Sequence, residues 1–362
     1  MRLRSFKFAL TVLIAILISQ ATWAEPTQSA SNNLRPFKVG MILTLSGPGA
    51  DYGIAIRNAV ELARKDNPEK FSQINFIYEN AELSPAAAIT TFNKLVERDQ
   101  VDLIFTWGVA FCKAIAPLAE ARKIYTVGEC VDEESSRGKK YFMRFMNSSR
   151  DFMETQIAAL EDRKIRQIQV ILSDNPYLEI LSESLSRVAA ARTQMVVSVE
   201  RVSAAENDFR SLILKIQQRQ ADIVGVFLAH GQISQFYIQR RQLQATFDTF
   251  GTNYFDSQSE ILVAQGTMDA AHFVSIEIKP EFIERYQKQY GNLSQIGFAA
   301  IAYEFANVIA QANAAGQTLV EFFRSERDFA GISTSEFRFV DTPEEGPHIK
   351  FKLAEKFIPA QS

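Results

Sequence analysis

Short apolar runs alternate with helical patterns from residue 38 onward, and this alternation constrains the fold of the chain. The run at 38–45 is nearly continuous in apolar residues, as in a strand that is buried on both faces. Residues 55–65 follow with apolar side chains at helical spacing, and a second set of strand and helix patterns begins near residue 149. Repeated strand–helix units form parallel sheets with helices on both faces. The pattern therefore predicts an α/β protein with two doubly wound, Rossmann-like lobes.

The length and charge of the chain agree with two domains and limit its partners. The 362 residues allow two domains of ~100–200 residues each. The 39 basic and 42 acidic residues give a formal net charge of −3, so no basic excess exists to hold a phosphate backbone. We therefore expect no nucleic-acid partner.

The first residues have the order of a secretory signal peptide. Basic residues precede an apolar run at 8–18, and small residues lead to Ala24. The alternative is a membrane anchor, but the run is shorter than the ~20 residues that a membrane-spanning helix needs. We expect a cleaved signal peptide over 1–24, a flexible N-terminus over 25–36 and a periplasmic location.

The edge at which the predicted strands end is the expected place for a ligand. Ligands of doubly wound sheets bind beyond the carboxyl ends of the strands. The loops that follow predicted strands are 46–52, 106–113, 128–133, 173–177, 229–232 and 252–257.

Two cysteines, Cys112 and Cys130, lie on neighbouring loops of this set. Adjacent parallel strands are ~5 Å apart, so two such side chains can reach bonding distance. An exported protein enters an oxidising compartment, which favours a disulfide. The alternative is a pair of buried thiols that pack as small apolar groups. Both interpretations stay open.

Four stretches of the chain resemble one family in their order and spacing. They are 38–53 with its Ser46-Gly47-Pro48 and Tyr52-Gly53, 108–117 from Gly to Pro, Asp174-Asn175-Pro176-Tyr177, and Asn207-Asp208-Phe209. Together they resemble the type I periplasmic binding proteins, and among these the branched-chain amino acid receptors of ABC transporters. The resemblance extends over residues 37–355 and implies two lobes joined by a hinge of three crossings.

The resemblance also implies where the lobes begin and end. The crossings are expected near 145–150, 276–282 and 330–336. Lobe one would comprise 36–147 and 280–331, and lobe two would comprise 148–279 and 332–358.

Several residues fall where relatives contact their ligand. Tyr52 and Tyr177 take the positions of aromatic residues. Cys112 stands where relatives carry a serine, and a thiol is a weaker donor than a hydroxyl. Asn253 stands where relatives carry a glutamate, which the nearby Asp256 can replace.

Other candidates have two interpretations each. His230 either contacts ligand or is an ordinary loop residue, and Phe298 either forms an apolar wall or belongs to the core. The acids Glu129, Asp132 and Glu133 either pair with a cationic ligand group or are simply solvated. The full set of expected ligand-binding residues is Ser46, Tyr52, Gly108, Phe111, Cys112, Cys130, Asp132, Tyr177, His230, Asn253 and Asp256.

These observations predict a periplasmic solute-binding protein of an ABC importer. We expect a small polar or amino-acid-like ligand, an inner-membrane permease as partner, a monomer, and neither cofactor nor metal. One alternative is a receptor that reports its ligand to a signalling partner. A thiol-dependent enzyme with Cys112 and His230 would lack a third orienting group. A metal site at Cys112, Cys130 and His230 would lack any ligand-spacing motif.

Overall fold

A computed structural model describes residues 35–359 apart from 162, 193, 220 and 326. The expected signal peptide at 1–24, and all but the last two residues of the expected N-terminal segment at 25–36, lie outside the described residues. The strands are β1 (Phe37–Leu43), β2 (Ile74–Asn80), β3 (Leu103–Trp107), β4 (Thr126–Glu129), β5 (Phe142–Arg144), β6 (Gln167–Ser173), β7 (Val196–Val202), β8 (Ile223–Phe227), β9 (Thr249–Gly251), β10 (His272–Ile276), β11 (Asp328–Ala330), β12 (Glu336–Thr342), β13 (Gly346–Phe351) and β14 (Leu353–Phe357).

The helices alternate with these strands along most of the chain. They are α1 (Ala50–Asp66), α2 (Pro85–Glu97), α3 (Val109–Arg122), α4 (Ser149–Glu161), α5 (Pro176–Arg192), α6 (Arg210–Arg219), α7 (Gln232–Gln242), α8 (Gln258–Ala264), α9 (Pro280–Tyr290), α10 (Ile296–Ala314) and α11 (Leu319–Ser325). Helix α2 begins at a typical start signal: the Ser84 hydroxyl accepts a hydrogen bond from the Ala87 N–H, and Pro85 takes the first helical position. Within the described part of the chain, no helix combines the length and apolarity that crossing a membrane requires.

The strands form two sheets, which confirms the predicted fold class. The first has the order β11-β12-β13-β5-β4-β3-β1-β2, and the second has the order β14-β10-β9-β8-β6-β7. Strands β1 to β5 pair in parallel, as do β6 to β10. We call the part of the chain built on the first sheet lobe one and the part built on the second sheet lobe two. Helix α10 packs against α1 and belongs to lobe one.

The end of the chain departs from the prediction that 332–358 belongs to lobe two. Strands β12 and β13 extend the first sheet beside β5, and only β14 joins the second sheet. The third crossing between the lobes therefore lies between β13 and β14, not near 330–336. The placement has a polar reason: the buried Arg144 guanidinium of β5 lies 3.3 Å from the Glu345 carboxylate. The Asn147 side chain also exchanges two hydrogen bonds with the Phe351 backbone.

Candidate functional site

Tyr52 is held at the carboxyl end of the first sheet by a tight approach of helix α1 to strand β1. The helix follows Gly49, whose φ of 77° is left-handed and favours glycine. A Cβ added to Gly53 would lie 2.0 Å from the Thr44 carbonyl oxygen, so only glycine allows the helix to start this close to the strand. The sequence that follows β1 therefore places the Tyr52 ring over the end of the sheet.

Three aromatic rings form the lobe-one wall of the cleft. The Tyr52 ring stacks on the Trp107 ring with centroids 4.7 Å apart and 13° between the planes. The Phe298 ring meets Tyr52 edge-on, with centroids 5.1 Å apart. Both geometries are favourable for aromatic pairs. Of the two interpretations of Phe298, an apolar wall or a core position, the structure therefore supports the wall.

Three rings of lobe two face the lobe-one wall. Tyr177 and Tyr254 stack with centroids 5.0 Å apart, and His230 stacks on Tyr254 at 4.4 Å. The Tyr177 hydroxyl donates a hydrogen bond to the Asn253 Oδ1 atom. Asn253 is thus engaged in holding an aromatic ring of its own lobe.

Direct contacts join the two walls. The Tyr52 hydroxyl oxygen lies 2.7 Å from His230 Nε2, and the rings of Tyr52 and Tyr254 are 6.4 Å apart. Gln295 Nε2 lies 3.4 Å from the same histidine nitrogen and donates to the Asp51 carboxylate. Burial lowers the pKa of His230, with the Glu260 carboxylate opposing the shift. The histidine is therefore neutral at pH 7, and an uncharged hydrogen bond closes the cleft.

The closed cleft leaves little free space. A cavity of about 20 Å³ remains between the lobes, which is room for about one water molecule. Its walls come from Met146, Phe152, His230, Asn253, Tyr254, Asp256, Ser257, Ser275, Ile276, Gln295, Ile296, Gly297, Phe298 and Ile301. A solute can enter only if the lobes or the aromatic side chains move apart.

Asp256, expected to replace the missing glutamate, lies at this cavity but already has partners. Its Oδ2 atom accepts a hydrogen bond from the Ser275 hydroxyl at 2.9 Å, and Lys356 Nζ lies at the same distance. Lys356 therefore neutralises the charge that would otherwise face a ligand amine.

The two cysteines form a disulfide bridge, Cys112 to Cys130. Both side chains are buried with Ala116 and Phe142 between α3 and the sheet. A Cβ on Gly128 would lie 2.7 Å from the Cys112 sulfur, so the bridge faces the interior of lobe one rather than the cleft. The structure does not bring either cysteine to the cavity, and a disulfide leaves no free thiol for a nucleophile or a metal ligand.

The remaining expected residues are spread around the end of the first sheet. Ser46 accepts a hydrogen bond from Asn80 at the exposed rim, 2.7 Å away. Gly108 begins α3 with a φ of 80°, and Phe111 is buried in an apolar cluster with α2. Asp132 accepts a hydrogen bond from Ser135. None of these side chains lines the cavity, so their ligand roles stay predictions.

The other two acids on the lobe-one loop differ from each other. Glu133 accepts hydrogen bonds from the Ser149 hydroxyl at 2.9 Å and the Arg150 N–H at 3.1 Å. Glu129 is fully buried, and within the described part of the chain neither of its carboxyl oxygens has a hydrogen-bond partner. Burial raises the pKa of Glu129 well above its ordinary value. Neither acid is solvated, contrary to one of the two interpretations of the sequence.

Sequence reasoning did not single out Trp107, Tyr254 or Gln295. Trp107 and Tyr254 lie in the segments 106–113 and 252–257, which the sequence marked because ligands bind beyond the carboxyl ends of strands. An aromatic residue in such a segment was a usable signal. Gln295 precedes α10 and follows no predicted strand, so no pattern pointed to it.

Comparison with known proteins places this geometry in a family. A family model described as "Periplasmic binding protein" matches residues 36–325. The Leu/Ile/Val-binding protein homolog 7 of Brucella abortus is 23% identical in an alignment of 309 residues that covers 76% of this chain and 76% of the relative.

Solved structures agree with this match. A leucine binding protein from Thermotoga maritima superposes with a TM-score of 0.74 at 17% identity, covering 89% of this chain and 95% of the other. A solute binding protein of an ABC transporter from R. palustris, in complex with 4-hydroxybenzoate, gives a TM-score of 0.72 at 18% identity over 90% and 94%.

The chain belongs to the periplasmic binding protein family. This confirms the predicted family, and with it the prediction of a solute-binding protein of an ABC transporter. Family and fold are those of proteins that bind small ligands, and neither alternative function gains support.

Proposed function

We propose that this protein captures a small solute between its two aromatic walls and delivers it to an inner-membrane ABC permease. The observation that carries the proposal is the facing arrangement of rings at the carboxyl ends of both sheets, with Tyr52 and Trp107 on one side and Tyr177 and Tyr254 on the other. Clefts at this edge of doubly wound sheets are the usual ligand sites of the architecture.

The proposed solute has a compact apolar body with a polar group. Rigid aromatic rings offer large contact area at a low cost in side-chain entropy, which suits a planar or branched apolar body. One protein of the same fold is named a leucine binding protein, and another was solved in complex with 4-hydroxybenzoate; both solutes are of this kind. Asn253 and Asp256 are engaged within lobe two, so the grip on a free amino acid would differ from that of the branched-chain receptors.

Opening and closing of the lobes is the proposed cycle. The hydrogen bond between Tyr52 and His230 joins the two walls directly, and a bound solute would replace this contact with contacts of its own to both walls. The permease would then recognise the closed, loaded form. We further propose export to the periplasm through the signal peptide, a monomeric state, and binding without turnover of the solute.

The test is a thermal-shift screen followed by calorimetric titration, with amino acids, aromatic acids, amides and amines as ligands. A solute that binds the folded state raises its melting temperature. Tyr52→Ala and Tyr177→Ala should each weaken binding roughly 30-fold, as expected when a central aromatic contact is removed from an interface.

Tyr141→Ala is the matched control. Tyr141 precedes β5 and packs against Tyr125, with ring centroids 5.2 Å apart, at the amino-terminal end of the strands of the first sheet. Its loss should therefore leave the affinity unchanged. Unaltered binding by both the Tyr52 and the Tyr177 variants would show that the solute does not bind between these walls.

A further inference from the structure

The acids around the cleft differ in whether their carboxyl groups have hydrogen-bond partners. Of Asp51, Glu129, Asp132, Glu133, Asp256 and Glu260, all within the described residues, only Glu129 lacks a hydrogen-bond partner for its carboxyl oxygens. Asp51 accepts from Ser294 and Gln295, Asp132 from Ser135, Glu133 from Ser149, Asp256 from Ser275 and Lys356, and Glu260 from the N–H groups of Gly231 and Ser234. Among these acids of the described chain, Glu129 alone combines complete burial with two carboxyl oxygens that have no hydrogen-bond partner.

Glu129 lies directly beside the lobe-one wall. It is the last residue of β4 and is the register partner of Trp107, the last residue of β3. Paired residues of adjacent parallel strands point to the same face of the sheet, so the Glu129 side chain lies on the face where Trp107 packs against Tyr52 and Phe298. The indole N–H of Trp107 also lacks a partner within the described part of the chain.

A buried carboxyl group without a hydrogen-bond partner destabilises the folded protein, so its presence calls for an explanation. Burying a charge without a partner costs several kcal/mol, and the folded chain avoids this by keeping the group protonated. The same group would become a strong counter-ion as soon as a cation reached it. The surrounding rings favour this outcome, because aromatic faces attract ammonium groups. The residues that line the cavity include no lysine or arginine.

We propose that the solute carries an organic ammonium group and that Glu129 is its counter-ion. This inference rests on the proposed function and narrows its solute class. The lobes part to admit the solute and Tyr52 moves off Trp107. When the lobes close again, the ammonium group pairs with the Glu129 carboxylate while the rings surround its alkyl groups. Glu129 releases its proton to solvent, so the site exchanges a proton for the cation of the solute and its net charge balances.

The other charged groups nearby are already engaged. On β5, Arg144 interacts with Glu345 and Ser136. On α10, Glu304 accepts hydrogen bonds from the backbone at 332–334. On α1 and α3, Asp51 and Lys113 have partners, and across the cleft His230 contacts Tyr52. Glu129 is therefore the group from which the proton would leave.

The experiment is calorimetric titration of the wild-type protein at pH 7 with tetramethylammonium, choline and phenylethylamine. Dimethylbutanol, the neutral carbon isostere of choline, is the matched ligand. We expect at least one of the cations to bind, and choline to bind at least roughly tenfold more tightly than its isostere. Repeating the titration in buffers of different ionisation enthalpy should show release of about one proton on binding of the cation.

Glu129→Gln separates the proposal from a purely structural role. The amide has the same shape but no proton to release, so the preference for choline and the proton release should both disappear while the fold persists, as monitored by circular dichroism. Glu120→Gln makes the same chemical change at the far end of α3, where Glu120 accepts from the Lys140 and Tyr141 N–H groups. It should keep both properties.

The outcomes separate the two proposals. Equal affinity for choline and dimethylbutanol, or unchanged proton release in Glu129→Gln, would overturn the role of Glu129. Binding of leucine or 4-hydroxybenzoate, with no response to any of the three cations, would overturn the ammonium class and leave the proposed function standing. Absence of binding by every solute would instead count against the proposed function.

Discussion

Two glutamates of lobe one are equally buried and have opposite surroundings. Glu304, on α10, is 1% exposed, and Glu129, at the end of β4, is 0% exposed. The Glu304 Oε1 atom accepts hydrogen bonds from the N–H groups of Ile332, Ser333 and Thr334 and from the hydroxyls of Ser333 and Thr334. Glu129 has no hydrogen-bond partner within the described part of the chain.

Glu304 therefore has a structural role, whereas Glu129 is the acid that we propose to pair with the solute. Glu304 holds the segment 332–334. This segment lies beside the residues that follow β10, because the Lys279 N–H donates a hydrogen bond to the Ser333 carbonyl at 2.8 Å. A Cβ on Gly331 would lie 2.8 Å from Glu304 Oε1, so the backbone is drawn tightly around this carboxyl group. Burial raises the pKa of both glutamates, but in Glu304 the hydrogen bonds oppose the shift, and in Glu129 burial acts alone.

Replacing Glu304 should have the largest effect on stability. Glu304→Ala leaves three backbone N–H groups without an acceptor, those of Ser333 and Thr334 fully buried, and we expect a loss of ~3–5 kcal/mol in the free energy of unfolding. Urea denaturation measures it. Glu304→Gln keeps one oxygen acceptor and should lose clearly less. A loss below about 1 kcal/mol in the alanine variant would show that the 332–334 segment does not depend on this carboxyl group.

The disulfide should contribute the next largest effect, and it concerns the strand end that carries Glu129. Cys130 follows Glu129 directly and is joined to Cys112 across 18 residues of chain. The double variant Cys112→Ala, Cys130→Ala should lose about 3 kcal/mol, because the unfolded chain is no longer constrained by the loop. Wild-type protein unfolded with reductant should show the same loss. Retained solute binding by the double variant would agree with the position of the bridge behind the cleft.

The alternation of strands and helices was enough to predict the fold class, because each strand–helix unit shows its type in local periodicity. Local pattern could not assign β12 and β13 to a sheet. Strands at the end of a chain can extend either sheet, and here the choice depends on Arg144 and Glu345, which are 201 residues apart in sequence. Contacts of that range leave no trace in a single sequence.

The site was predictable in its location and less so in its chemistry. The strand-end rule and the resemblance both led to Tyr52, Tyr177 and His230, which the structure brings together. Whether a polar side chain is free or engaged depends on distant partners. Lys356 engages Asp256, whereas Glu129 has no hydrogen-bond partner among the described residues, although the two acids look equally available in the sequence.

The smallest effect concerns the stability of Glu129 variants at different pH. The unfolded glutamate ionises near its ordinary pKa of 4.5, whereas burial keeps the folded one protonated to much higher pH. Folding therefore takes up a proton above pH 4.5, and the contribution of Glu129 to stability, fully present below that pH, falls by ~1.4 kcal/mol per pH unit until the folded pKa is reached. Glu129→Gln removes this decline.

At pH 5.5 the difference between the two proteins, relative to its value at pH 4, should therefore favour Glu129→Gln by about 1 kcal/mol, as measured by urea denaturation at each pH. A Glu129→Gln curve parallel to that of the wild type would mean that the folded carboxyl group ionises as it does in the unfolded chain. Glu129 would then have a partner after all, and its contrast with Glu304 would disappear.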